Sequence, residues 1–85
     1  MQYRVDTLNS TYEIDTDIRT WRRTRRSRSS GQIRTEEGVY NHLLGPALGS
    51  SMIFECPPVN AAKMRVVATS LVERIQELPN GTLKI

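Results

Sequence analysis

The sequence predicts a small, mainly β domain. Two observations lead there: alternating apolar and polar residues on either side of a polar turn near the N-terminus, and a compact apolar run stopped by Pro57-Pro58. Eighty-five residues make one domain, 1–85, with a modest core.

Tyr3 to Leu8 alternates, with Tyr3 and Val5 on one face and Arg4 and Asp6 on the other. Asn9-Ser10 is turn chemistry, and Thr11 to Asp15 alternates again with Tyr12 and Ile14 together. Together these form a hairpin. Around Asp15-Thr16-Asp17 a second turn leads to a third strand from Ile18 through Trp21 to about Arg23. A two-residue turn, Thr16-Asp17, sets Trp21 opposite Tyr12 in the core. A three-residue turn sends Trp21 to the other face with Arg19 and Arg23, where it would form a stacking platform. The core placement is the better fit for a chain with one Trp and one Phe.

Residues 24 to 35 read as a mobile basic loop, with its tip at Ser27 to Gly31. Glu36 to Leu44 is ambiguous: Thr35 and two glutamates suit a helix start, and Val39, Tyr40, Leu43 and Leu44 suit its apolar face. Met52 to Cys56 is a strand candidate. Residues 60 to 78 leave two readings open. Met64, Val67, Ala68, Leu71, Val72, Ile75 and Leu78 follow helical spacing behind an Asn60 cap, whereas Val66, Val67, Thr69, Val72 and Ile75 are β-branched. The expected core is Val5, Tyr12, Ile14, Trp21, Ile53 or Phe54, and Val66 or Val67.

Charge is the strongest functional signal. Between Ile18 and Thr35 lie Arg19, Arg22, Arg23, Arg25, Arg26, Arg28 and Arg34, and no acid. Twelve basic residues less these seven leave five elsewhere, against nine acids. Like charges so concentrated gain little from folding and suit an anionic partner. Arginine matches phosphate and carboxylate with a planar fork. Nucleic acid is the first candidate and an acidic protein surface the second, with Trp21 and Tyr40 as candidate interface aromatics.

Catalytic and metal chemistry is poorly represented. One histidine, His42, and one cysteine, Cys56, fall short of a zinc ligand set, and no phosphate-loop pattern occurs. No enzyme activity, cofactor or metal is expected. A lone cysteine rules out an intrachain disulfide and favours a reducing cytosol. No apolar run is long enough to span a bilayer as a helix, and no membrane partner is expected.

Thr7-Leu-Asn-Ser-Thr-Tyr-Glu-Ile-Asp15 with the Arg22-Arg23 pair, then Gly45-Pro46, Gly49-Ser-Ser-Met-Ile-Phe54 and Thr69-Ser70-Leu-Val-Glu-Arg-Ile75, resemble segments of short uncharacterised proteins encoded by phages of actinobacteria, such as mycobacteriophages. The order of segments matches along most of the chain. Glu55-Cys56 stands where those proteins tend to carry tryptophan. The position of Leu71 is often proline in them, which implies strand rather than helix across 64 to 75, kinked near Ser70. The resemblance thus implies a small curved sheet or SH3-like barrel of five or six strands, on which this sequence carries an arginine-rich loop richer than is usual in that group; the alternative is an α+β domain with a C-terminal helix at 60–78. It also implies a phage-type protein in the cytoplasm of an infected host. It carries no activity. The functional expectation is a non-enzymatic binder of an anionic macromolecule; an inhibitor of a host or anti-phage defence protein and a structural homo-oligomer are the alternatives.

Overall fold

The computed structural model describes residues 1–26, 33–57, 65–79 and 81–83. These contain seven strands and no helix: β1 (Gln2–Thr7), β2 (Ser10–Asp15), β3 (Thr20–Arg26), β4 (Ile33–Val39), β5 (His42–Leu44), β6 (Ser51–Cys56) and β7 (Arg65–Leu78). They form one antiparallel sheet in the order β4-β3-β2-β1-β7-β6-β5. Every strand lies beside its neighbour in sequence except β4 and β5, and β7 returns to β1. Yet only Tyr40 and Asn41 separate β4 from β5, a span of about 11 Å at most. The two ends of the sheet therefore meet at that corner, and the sheet must curve. Tyr40 donates its N–H to the Arg19 carbonyl and Asn41 donates to the Glu55 carbonyl, which fastens the corner.

The mainly β expectation holds, with seven strands in place of five or six. The two unforeseen strands, β4 and β5, come from the stretch read as a possible short helix. Gly38 weakens a helix there by about 1 kcal/mol. Cross-strand pairing of Glu37 with Arg22 and of Glu36 with Arg23 favours the extended form. The curved sheet stays open between β4 and β5, with no ladder joining them among the described residues.

The helix reading of 60–78 is overturned from Arg65 onward; Asn60 and Met64 lie outside the described residues. Val72 to Leu78 pairs with β1, and residues 65 to 71 pair with β6. The bend between these halves carries two register slips. One skips a residue between Ala68 and Leu71, opposite Ile53 and Ser51. The other skips Glu73, between the partners of Thr7 and Asp6. Each slip inserts one residue, so the inward steps Thr69 to Val72 and Val72 to Ile75 become three residues long. Two bulges thereby imitate a helical period.

The turns differ by a residue or two from expectation. The first hairpin turns at Leu8-Asn9, and Thr7 Oγ1 accepts from the Ser10 N–H at 3.2 Å and donates to its carbonyl at 3.0 Å. The second turn is Thr16 to Arg19, longer than either register considered, so β3 begins at Thr20 and Ile18 is exposed. Asp15 holds this turn: its carboxylate accepts from the Asp17 N–H at 3.0 Å and the Ile18 N–H at 3.4 Å. Trp21 then lies opposite Ile14, on the core face.

Phe54 is the centre of the core. Its ring lies 5.9 Å from Tyr12, 5.8 Å from Trp21 and 5.5 Å from Tyr40, centroid to centroid. Val5, Ile14, Met52, Cys56 and Val72 complete the cluster. Ile53 and Val67 are half-buried and Val66 is exposed. Gly38 permits the Trp21 position: a Cβ there would stand 3.3 Å from three atoms of the indole.

Candidate anion-binding site

The seven arginines divide once the strands are paired. Arg19 sits in the turn before β3, exposed, at φ 55°, a left-handed conformation that non-glycine residues adopt rarely. Arg26 ends β3, about 20 Å away along the strand. The run is therefore not one cluster.

Arg22 lies on the convex face between Glu13 on β2 and Glu37 on β4. Arg4 of β1 joins the same row, its guanidinium 3.8 Å from Glu13. Arginine and glutamate thus alternate across four strands. Such exposed pairs contribute little individually, but they cancel the local field.

Arg23 faces the concave side, opposite Tyr12 and Glu36. Its side chain is only 14% exposed and is ion-paired with the 54%-exposed Glu36. Burial by itself would lower the pKa of this guanidinium. The neighbouring Tyr12 side chain and the ion-paired Glu36 carboxylate outweigh it, and the group is held above its ordinary value. This arginine belongs to the fold. Period-two alternation places Arg23 on the core face with Trp21 and Tyr12, and there it is largely buried.

Past Arg23 the acids run out. Arg25 is exposed, with Ser10 opposite it on β2 and Arg34 opposite it on β4. Arg26 stands opposite Ile33. No salt bridge to Arg25 occurs among the described residues. Like charges directly opposite destabilise a ladder by a few tenths to about 1 kcal/mol. The hairpin end is thus the one place in the described ladders where two arginines face each other. Arg28 and the Ser27 to Gly31 tip lie outside the described residues, whereas residues 24–26 and 33–35 of the expected loop are strand.

An open groove of about 1000 Å³ lies beside this end, with Asp6, Ser10, Arg25, Glu73 and Arg74 among its walls. Its two bases and two acids balance, so it offers shape more than field.

The candidate aromatics are in the core: Trp21 is 4% exposed and Tyr40 is 6% exposed. Burial raises the Tyr40 pKa; Arg19 pulls it down and Asp15 adds to the rise. With Tyr12 and Phe54 also buried, and Tyr3 partly so, no ring is left as an exposed platform for bases or for a protein hot spot. Cys56 is buried in the core and His42 is exposed on β5 opposite Glu55.

The residues that sequence reasoning missed are the acids. Glu13, Glu36 and Glu37 lie outside the arginine run but beside it in space. Their signal was present: a meander β2-β3-β4 brings residues from either side of a central strand against it, so the flanks of a charged run must be read with it. Comparison with family models, curated proteins and solved structures finds no match to the chain. No helix among the described residues is long and apolar enough to cross a membrane.

Proposed function

We propose that this protein is a non-enzymatic binder of an anionic macromolecule, nucleic acid before any other, and that contact is made by the end of the β3–β4 hairpin. The observation that carries this is the register of Arg25 against Arg34, with Arg26 beside them and no acid directly opposite any of the three in the described ladders. A site that costs stability in the free protein gains it back when phosphates neutralise it. The roles follow the strand geometry. Arg25, Arg26 and Arg34 contact phosphate, joined by Arg28, which lies outside the described residues and is assigned from the sequence alone; Arg19 is peripheral; Arg23 is ion-paired with Glu36, and Arg22 stands between Glu13 and Glu37, whose charges offset its own.

With every aromatic ring buried or nearly so, base stacking has no platform, and the described residues include no helix to enter a major groove. Recognition is therefore of the backbone, with little discrimination between sequences. The resemblance to phage-encoded proteins supports a setting in the cytoplasm of an infected host.

The test is binding of duplex and single-stranded nucleic acid at several salt concentrations. Wild-type affinity should fall steeply with salt. Arg25→Ser with Arg26→Ser should flatten the log–log slope by about 2 units, since each lost phosphate contact removes about 0.9. Arg22→Ser should leave the slope nearly unchanged. Absence of binding at low salt defeats the nucleic-acid reading, and salt-insensitive capture of one acidic protein supports the inhibitor reading instead.

A further inference from the structure

β4 is the terminal strand of the sheet, and among the described residues β3 is its one hydrogen-bonded neighbour. Its free side can be read residue by residue. Tyr40 donates its N–H to the Arg19 carbonyl, one step beyond the Thr20–Val39 pair. Peptide groups in an antiparallel ladder alternate between facing the partner and facing away. Residues 38, 36 and 34 therefore face β3. The N–H and C=O groups of Thr35, Glu37 and Val39 point to the open edge, a template for another strand.

The charges on β4 select which strand. A second copy added antiparallel, about a two-fold axis normal to the sheet, must set one residue opposite itself. Centring on Arg34, Glu36 or Glu37 brings two like charges together. Centring on Thr35 sets Thr35 opposite Thr35, and Arg34 opposite Glu36 of the second copy, twice. In that register Arg34 and Glu36 form the non-hydrogen-bonded pairs, where side chains approach most closely. It also gives Arg34 an acid on the side away from Arg25, and Glu36 is half-exposed and open to a second arginine. On the other face it extends the cross-strand row Thr11, Thr24, Thr35 into the next copy.

We propose that β4 is a self-complementary docking edge, through which two copies of the chain join antiparallel about Thr35 into one continuous sheet. This does not depend on the anion site and is tested without nucleic acid. Sedimentation over a wide concentration range should show the mass rising from 9.7 kDa toward twice that value. Thr35→Pro removes the outward N–H and leaves the bonds to β3, so it should return the protein to monomer while the near-ultraviolet signal of Trp21 persists.

A cysteine pair checks the register if that variant fails to fold. Two Thr35→Cys chains would hold their Cα atoms about 5.5 Å apart, within reach of a disulfide. Two Glu37→Cys chains would hold theirs about 13 Å apart along the strands. Thr35→Cys should cross-link fast under mild oxidation and Glu37→Cys should not; buried Cys56 offers no accessible thiol in either. A wild type that stays monomeric throughout, a folded Thr35→Pro that still dimerises, or equal cross-linking of the two cysteines overturns the proposal.

Discussion

Replacing Arg23 and Arg25 separately by serine distinguishes a structural arginine from a functional one two residues away. Arg23 is 14% exposed and holds the Glu36 carboxylate beside the buried Tyr12 side chain. Loss of a hydrogen bond to a charged group costs about 1.5–3 kcal/mol. Glu36 is half-exposed and regains water, which removes part of this cost and leaves roughly 1–3 kcal/mol. For a domain of this size 1 kcal/mol moves the melting temperature by about 4–8 °C. Arg23→Ser should therefore melt on the order of 5–20 °C below wild type. Arg25→Ser loses no partner and relieves the opposition to Arg34, so its melting temperature should be unchanged or higher by a few degrees. Thermal unfolding followed through Trp21 in the near ultraviolet measures both. If Arg23→Ser melts with wild type, the arginine is solvated and the division of the run is wrong.

Phe54→Ala should lose a large share of its stability: truncating a buried Phe costs about 3–5 kcal/mol, and three ring contacts go with it, against a total stability of roughly 4–13 kcal/mol for this length. Phe54→Leu should fold with a lowered urea midpoint, and an unchanged midpoint would remove Phe54 from the centre of the core. Asp15 gives a pH dependence. The Gln2 side-chain amide, 3.0 Å away, and the Asp17 and Ile18 N–H groups stabilise its carboxylate, outweighing burial, and hold its pKa below the usual value. A depressed folded pKa contributes stability above the unfolded value of about 3.9, and the contribution is lost as pH falls through the folded value. Urea midpoints should thus drop below about pH 4 in wild type and drop less in Asp15→Asn.

Much of the fold was legible because β1, β2 and β6 keep strict alternation. Val5, Tyr12 and Ile14 point inward as the pattern requires, and of the alternatives Ile53 and Phe54 it is Phe54 that enters the core. Trp21 reached the core through a turn of different length, because a four-residue turn preserves the parity of a two-residue one. β7 was harder. Its two slips convert a strand period into steps of three, and neither that pattern nor the β-branched content separates strand from helix locally; the strand reading came from the resemblance, through the proline common at the position of Leu71. β4 was hidden for another reason. Glu36, Glu37 and Gly38 carry no apolar alternation of their own, and their conformation is set by Arg23, Arg22 and Trp21 on the strand beside them. Met52, Cys56, Val72 and Tyr40 were missed from the core. Cys56 was legible as a packed residue, but Tyr40 depends on the corner where the sheet closes on itself.

The candidate site was legible in its composition and not in its partition. In sequence the seven arginines are equivalent members of an acid-free run. In the sheet, each is defined by what stands opposite. Natural sequences tend to agree with their fold at every level, and the places where they do not are where function is expected. By that criterion Arg22 and Arg23 carry no functional information, since Arg22 stands between two glutamates that offset its charge and Arg23 is ion-paired with Glu36. Arg25 and Arg34 do, because two cations face each other where a single Glu at either position would have stabilised the hairpin. Two remedies for that opposition lie within reach of the same strand end: an anion from outside, or Glu36 of a second copy across the β4 edge. Pairing of Arg34 with the second copy's acid would shift phosphate contact onto Arg25, so the two remedies divide the arginines between them. A dimer formed this way would carry two such arginine pairs on one continuous sheet, and a polyanion long enough to reach both would bind more tightly than either half alone by effective concentration.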